Sequence, residues 1–321
     1  MATAPPSPCD RRLVNTPDSA AVPIRHAATV VLLREGGEGL EVLLTRRSAQ
    51  LEFMGGVWVF PGGRLDDADF APQTIERVLP ADRERCRERL ATYGGAALDA
   101  DTSIGLHVAG CRETFEECGV LLARRADGST CDAAQVERLK THRADIAASR
   151  TALVDVLQSE ALYLDVAPLV YWSHWITPSH ERKRYDTRFF AIEVPAGQEA
   201  SVDRTETTEH AWLTPDEAFA RSAAATIKLA PPTLATLQDL SETRARYGDL
   251  RSMLHGERNR DVPPILPKWF ETDGRVTIVL PWDPEYTALA GEGAQPAERY
   301  PEYLTRLPSR RELRIRPAKS T

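Results

Sequence analysis

The chain has no apolar run long enough to cross a membrane. Its first 25 residues are Ala- and Pro-rich and hold no apolar core of the kind that marks a secretory leader. Positive charge is not in excess either: 40 Lys and Arg face 47 Asp and Glu, a formal net charge of −7. Neither nucleic acid nor an anionic membrane is therefore an expected partner. A negative protein that handles an anionic substrate has to gather cations locally, as metal ions or Arg clusters. Cysteine is sparse, and Cys9, Cys86, Cys111, Cys118 and Cys131 never fall in C-x-x-C spacing. That pattern excludes a disulfide frame or a zinc site and points to reduced thiols in a cytoplasmic protein. The terminal Lys-Ser-Thr is not a Ser-Lys-Leu peroxisomal address, and no internal repeat is visible.

What is present is ordinary globular material, 42% hydrophobic over 321 residues, enough for one large domain or two small ones. Residues 1–25 read as a flexible tail. From Ala28, A-T-V-V-L-L-R and E-V-L-L-T-R-R flank a Gly-rich turn, which predicts a hairpin. Val57–Phe60 reads as a short strand ended by Pro61-Gly62-Gly63. Helices are expected over Arg83–Tyr93, stopped by Gly94-Gly95, and from Asp101 or Ser103 to Cys118, stopped by Gly119. Further helices are expected over Ala133–Lys140, Asp145–Ala161, from Pro215 to Arg221, and over Thr233–Arg246 after the Pro231-Pro232 break. Strands are expected at Leu169–Ile176, Tyr185–Val194, 210–214 and Val276–Leu280. The mixture lacks βαβ regularity, so the class is α+β, or an α/β/α sandwich.

On the helix ending at Cys118, two faces separate. Ile104, Val108, Cys111, Phe115 and Cys118 follow the spacing of a buried stripe. Glu113, Glu116 and Glu117 stand at i, i+3 and i+4, so their carboxylates share another face. Three clustered carboxylates form a hard-oxygen nest suited to Mg²⁺ or Mn²⁺. Arg112, one turn before Glu116, can orient a carboxylate through a charge-assisted bond. Three acids alone would more often be a solvated helix face; the complete string R-E-T-F-E-E-C-G-V over Arg112–Val120 shifts that balance.

The string resembles the core of the Nudix box, whose pattern is R-E-hydrophobic-x-E-E-x-G-hydrophobic preceded by a Gly and a Glu. Counting from Gly63, Asp69 stands where the family has its upstream Glu, and 42 residues (70–111) stand where the family has seven. A box split in this way is similar to one branch, the peroxisomal-type coenzyme A diphosphatases and their bacterial relatives. The resemblance implies a Nudix-type α/β/α sandwich with a mixed sheet. It also implies a helical insertion (about 70–102) within a domain spanning 26–245, and a C-terminal extension, 246–321, that carries no motif. The inserted helices offer a lid or a homodimer surface.

Leu43–Gly63 resembles that branch's coenzyme A signature, with Thr45, Arg47, Ser48, Gly56 and Phe60–Gly63 in register and Glu52 where the family has a second Arg. Arg46, Arg47 and Ser48 are thus implied as substrate-binding residues. Trp175–Phe190, W-I-T-P-S-H-E-R-K-R-Y-D-T-R-F-F, again looks like this branch. Its Arg182 and Arg184 flank Lys183 on a loop where forked guanidinium groups suit phosphate oxygens. A solvated loop is the equal alternative there, and Tyr185, Phe189 and Phe190 read as core. In E-T-T-E-H-A-W, Glu206 is implied as a late metal ligand or base, with Glu209 as alternative and His210 an ordinary loop residue. The implied metal set is the Gly63 carbonyl with Glu113, Glu116, Glu117 and Glu206. Arg112 and these glutamates are the catalytic candidates. The implied reaction is Mg²⁺-dependent (or Mn²⁺-dependent) hydrolysis of coenzyme A or acyl-coenzyme A to 3′,5′-ADP and 4′-phosphopantetheine or its acyl form. NADH or ADP-ribose is the alternative substrate, and a non-catalytic nucleotide-binding module is the alternative class.

Overall fold

The computed structural model describes residues 22–51, 54–87, 90, 98–178, 181–202, 206–272, 275–289, 300–305 and 311–314. Cys9, Glu52, the Gly94-Gly95 stop and the terminal Lys-Ser-Thr lie outside the described residues.

The predicted hairpin is β1 (Ile24–Gly36) and β2 (Gly39–Arg47), antiparallel with Leu33 opposite Val42 and Gly36 opposite Gly39. β3 (Trp58–Val59) pairs with β2, and β4 (Gly62–Arg64) with β1, leaving Gly63 opposite Ala28. Two short helices follow, α1 (Pro72–Ile75) and α2 (Pro80–Arg87), and then the long α3 (Ala100–Cys118). The Asp99 carboxylate caps α3 by accepting from the Thr102 amide, two residues before the earliest cap expected. Gly119 ends it in the left-handed conformation (φ 66°), as foreseen.

β5 (Ala123–Arg124), α4 (Ala133–Leu139), α5 (Arg143–Ala147), α6 (Leu153–Ser159) and β6 (Tyr163–Leu164) make the next layer. The single helix expected over Asp145–Ala161 is two. Ser149 takes a left-handed φ of 54°, and the Arg150 and Thr151 amides turn back to the Asp145 carbonyl, so the chain breaks between α5 and α6. β7 (Val170–Ile176) and β8 (Arg184–Glu193) are antiparallel, while β8 runs parallel to β1. β9 (Thr207–Leu213) pairs with β2, so His210 is a strand residue, not a loop one.

α7 (Pro215–Ala223), α8 (Pro231–Tyr247) and α9 (Leu250–Gly256) cover the other face. Pro231-Pro232 starts α8 instead of preceding it, because the first helical positions need no amide donor. The chain then adds β10 (Pro264–Ile265) to β7, and folds β11 (Lys268–Thr272), β12 (Arg275–Val279), α10 (Glu302–Thr305) and β13 (Arg311–Arg314). Among the described residues the main sheet has eight strands, ordered β10-β7-β8-β1-β2-β3, with β4 and β9 pairing alongside.

Strand alternation sends Ala28, Val30, Leu32, Phe190 and Ile192 to one core layer under α3, and Val31, Leu33, Val42, Leu44 and Ala191 to another under α8. The result is the α/β/α sandwich with a mixed sheet. The predicted stripe of α3 is fully buried, Ile104 to Cys118 at 0–1% exposure. Burying each large apolar side chain of that kind stabilises by roughly 1.5–3 kcal/mol. Cys86, Cys111, Cys118 and Cys131 are all buried, and none of these four is in a disulfide. The segment after α9 is anchored by Arg260, whose guanidinium bonds Asp239 of α8 at 2.9 Å and lies between Trp172 (4.2 Å) and Tyr303 (4.0 Å). That buried clamp ties the segment after α9 to α8, β7 and α10.

Candidate active site

α3 meets the β4 edge so closely that side chains there have to be absent. A Cβ on Gly63 would stand 2.3 Å from Glu113 Oε1, so only glycine lets that carboxylate lie against the strand. Thr114, in the box position usually apolar, is buried and donates its hydroxyl to the Gly110 carbonyl at 2.7 Å, which satisfies the polar atom.

Arg112 organises the acidic cluster. Its Nε and Nη2 donate to the two oxygens of Asp69 at 2.8 and 3.0 Å, a two-point fork, while Nη1 donates to Glu113 at 2.9 Å and Glu116 at 3.2 Å. Nη2 also donates to the Arg64 carbonyl at 3.0 Å. Asp69 is 2% exposed, and its other bond, from the Asp66 amide, closes a capping box. The shorter acid therefore holds the arginine. Reading along the chain did not foresee that contact, because Asp69 and Arg112 are 43 residues apart.

Glu117 is buried behind the cluster and accepts from the Gly62 amide at 3.3 Å. Glu206 approaches from the segment before β9, its carbonyl held by the Ser48 amide at 2.8 Å. Burial pushes Glu113 up to about 7, against the pull of the Arg112 charge, with Glu116 and Glu206 adding repulsion. Glu117 is raised well above the ordinary range by burial and then by Glu113, and Glu116 is raised by burial. Burial opposes the Arg112 charge, but Asp69, Glu113 and Glu116 outweigh it and raise that pKa. The cluster is thus richer in carboxylate than one arginine can balance. Its donors are hard oxygens with the charge of a divalent-cation site. Among the described residues no three acidic, His or Cys side chains stand arranged around one point for a metal. Arg112 draws Glu113 and Glu116 toward itself, and holding a cation would require them to turn away.

The cluster opens on a cavity of about 1220 Å³. Glu113, Glu116, Arg112, Asp69, Gly63, Glu206 and Arg47 line it. Four predicted substrate residues do not. Arg46 alternates to the opposite side of β2 from Arg47 and pairs with Glu209 at 2.5 Å. Ser48 holds the Glu206 backbone. Arg182 is exposed outside the lining, and Arg184 is buried, donating to the Thr177 carbonyl at 3.1 Å. Lys183, between them, lines the cavity, as do Tyr185, Thr187 and Phe189 of β8. The two arginines flanking Lys183 are therefore replaced by the lysine as the cavity's cation. Phe189 and Phe190 are buried, Phe190 fully and away from the cavity. Lys228 and Lys268, for which the sequence carried no motif, also line it.

Comparison with known proteins places this geometry. The family profile described as the NUDT19 Nudix domain matches residues 21–240. The chain is similar to the acyl-coenzyme A diphosphatase NUDT19 of Gallus gallus, 30% identical over 314 residues, which cover 82% of each chain. It is similar to the same-named protein of Xenopus laevis, 25% identical over 281 residues, 78% of this chain and 73% of that one. Among solved structures, a Nudix hydrolase from Alicyclobacillus acidocaldarius superposes with a TM-score of 0.58 at 25% identity, over 75% of this chain and all of that one.

Proposed function

The chain belongs to the Nudix hydrolases of the NUDT19 family, and on that premise we propose that it hydrolyses the diphosphate of coenzyme A or an acyl-coenzyme A with a divalent cation, Mg²⁺ or Mn²⁺. The observation that carries this reading is the carboxylate-rich cluster around Arg112, opening on a cavity that Arg47, Lys183, Lys228 and Lys268 also line. The two similar proteins carry acyl-coenzyme A diphosphatase in their names, which supports the substrate class.

Glu113, Glu116, Glu117 and Glu206, with the Gly63 carbonyl, are the residues that would hold the cation. When bound, it supplies Lewis acidity, neutralising diphosphate charge and making water easier to deprotonate. The chain's own residues do the rest. Arg112, fixed by Asp69, holds Glu113 and Glu116 at the cavity wall. Glu117, bonded to the Gly62 amide, stiffens the β4 edge. Glu116 or Glu206, both facing the cavity, accepts the proton of the attacking water. Arg47, Lys183 and Lys228 attract the phosphates. Hydrolysis adds one water across the P–O–P bridge: the oxygen joins one phosphorus, and the other phosphate leaves with the bridging oxygen and a proton. The products are 3′,5′-ADP and 4′-phosphopantetheine, or its acyl form.

Chromatography of coenzyme A incubated with the purified protein, with and without Mg²⁺, tests this. Metal-dependent release of 3′,5′-ADP is the expected result. Cleavage of NADH or ADP-ribose in its place would keep the chemistry and discard the substrate, and binding without any product would discard the enzyme reading.

A further inference from the structure

The cavity is larger than a small-molecule site usually needs, about 1220 Å³ against a common range of roughly 300–1,000 Å³. Its walls also differ in kind. On the α8 side, Lys183, Lys228 and Lys268 line it together with Trp175, Phe189 and Trp269, and Glu181 is the opposing acid. On the α3 side the carboxylate cluster and Arg112 form one part of the lining. Beside it Thr74, Val108, Leu164 and the lining residues between Ile146 and Leu157, of α5, α6 and their break, form a part with no charged side chain. Val108, Ile146, Leu153, Leu157 and Leu164 belong to the core layer under α3, whereas Phe189 and Leu229 belong to the layer under α8. The cavity therefore draws its lining from both faces of the sheet, and the carboxylates border its uncharged lobe.

We infer that the lobes divide the substrate. The uncharged lobe between α6 and α3 takes an apolar acyl chain at the thioester end, and the cationic, aromatic lobe takes the nucleotide half with its extra phosphate. This rests on the coenzyme A reading above and adds to it an orientation and a chain-binding site. Charge decides the direction: a phosphomonoester gains from the three lysines and loses against a wall that has none. A methylene chain gains roughly threefold to fourfold in affinity for each CH₂ it buries, and the α6 lobe offers a continuous stretch of such surface without a charged side chain. The break between α5 and α6 shapes that lobe, since Ser149 in its left-handed turn, Thr151 and Ala152 all line it.

Ala152→Phe places a ring in the apolar lobe from a half-buried position at the start of α6. Wild type and variant are compared on coenzyme A and on its hexadecanoyl thioester, by kcat/KM with Mg²⁺ and by calorimetry in EDTA. The inference expects tenfold or greater loss for the thioester in both measurements and less than twofold change for coenzyme A. In the reverse arm, Lys228→Glu lowers both substrates alike and shrinks the preference for coenzyme A over dephospho-coenzyme A. Equal loss of both substrates in a folded Ala152→Phe, or undiminished thioester binding, overturns the orientation while leaving the diphosphatase reading intact. A wild type that neither binds nor cleaves either compound overturns the reading beneath it as well. If Ala152→Phe does not fold, Thr151→Tyr fills the same lobe from the preceding residue.

Discussion

Two ionic clusters sit against the same sheet and are built on opposite terms. At the cavity, Asp69, Glu113 and Glu116 share a single arginine, Arg112, while Glu117 behind them has the charge of Arg47 and the Gly62 amide to set against burial and Glu113. Deeper in, on β1, β7 and β8, one acid has several partners. Asp186 Oδ1 bonds His174 Nε2, and its Oδ2 meets Arg188 Nη1 at 2.8 Å, while Arg188 also donates to His26 Nδ1 at 3.0 Å. Arg188 and His174 are 0% exposed. Burial opposes ionisation of Asp186, yet bonds from His174 and His26 and the Arg188 charge hold its pKa well below the ordinary value. In the first cluster burial wins and the carboxylates rise; in the second the partners win and the carboxylate falls. A group of acids left short of positive charge beside a cavity is poised to accept it from outside. A balanced group whose acid and arginine are buried fastens three strands.

The comparison breaks most sharply at Glu116. Glu116→Gln keeps the size and polarity of the side chain but removes a carboxylate from the open cluster. Turnover is expected to fall by about 10²–10⁴-fold, with a melting temperature equal to or above that of wild type in EDTA. Product release and thermal melting together check this; a variant as active as wild type would take Glu116 out of the reacting set.

The closed cluster should answer in stability, not rate. Asp186→Ala strands Arg188 as a buried charge without its carboxylate, and breaking such a pair costs about 3–5 kcal/mol. A fall in Tm on the order of 10 °C follows for a domain of this size, while kcat/KM per folded molecule stays within about twofold. The pH dependence runs with it. Burial lowers the His174 pKa below 6.5, so the unfolded chain gains a proton that the fold refuses, and stability is lost as pH falls below about 6.5. Asp186, with its pKa depressed, contributes stability above about pH 3.8 that is lost as pH falls further. From pH 7 to pH 4 the Tm of wild type should fall relative to that of His174→Gln.

The open cluster should show the opposite sign. Glu113 has a folded pKa of about 7 against an ordinary 4.5, so its ionisation costs stability as pH rises from 4.5 through 7. In EDTA at pH 8, Glu113→Gln is expected to be more stable than wild type by roughly 1–3 kcal/mol. Excess Mg²⁺ should narrow that gap by stabilising wild type alone. Denaturant melts at pH 8, with and without the cation, measure it.

How much of this was legible beforehand follows the range of the interactions. α3 declared itself because its apolar stripe and its glutamates repeat at 3 and 4 residues, and helix geometry is local. The strands declared themselves by alternation. The phase of β8 did not: choosing Lys183 over its two arginine neighbours requires knowing which residues the strand turns inward, and a loop of equal cations carries no such mark. The fork of Arg112 on Asp69 spans an insertion, and the break at Ser149 lies in a polar stretch with no Gly or Pro to announce it. The walls supplied by 228–233, 267–269 and Ile278 come from segments without motif, brought to the cavity by long-range packing.

The smallest effect marks where a charge pair stops mattering. Arg46 and Glu209 meet at 2.5 Å, a shorter contact than most in either cluster, but their side chains are 42% and 53% exposed. Water screens the pair, and holding two long side chains together costs entropy, so exposed pairs contribute about 0–1 kcal/mol. Arg46 also lies outside the cavity lining, because strand alternation gives that place to Arg47. Arg46→Ala should therefore shift Tm by no more than a few degrees and change kcat/KM less than twofold, whereas Arg47→Ala should raise KM for the diphosphate substrate several-fold at equal stability. Measuring the adjacent pair side by side isolates position from charge, since both variants lose one guanidinium from the same strand. A large kinetic effect at Arg46 would mean that the substrate extends past the β2–β9 rim, and the division between cavity and surface drawn here would have to move outward.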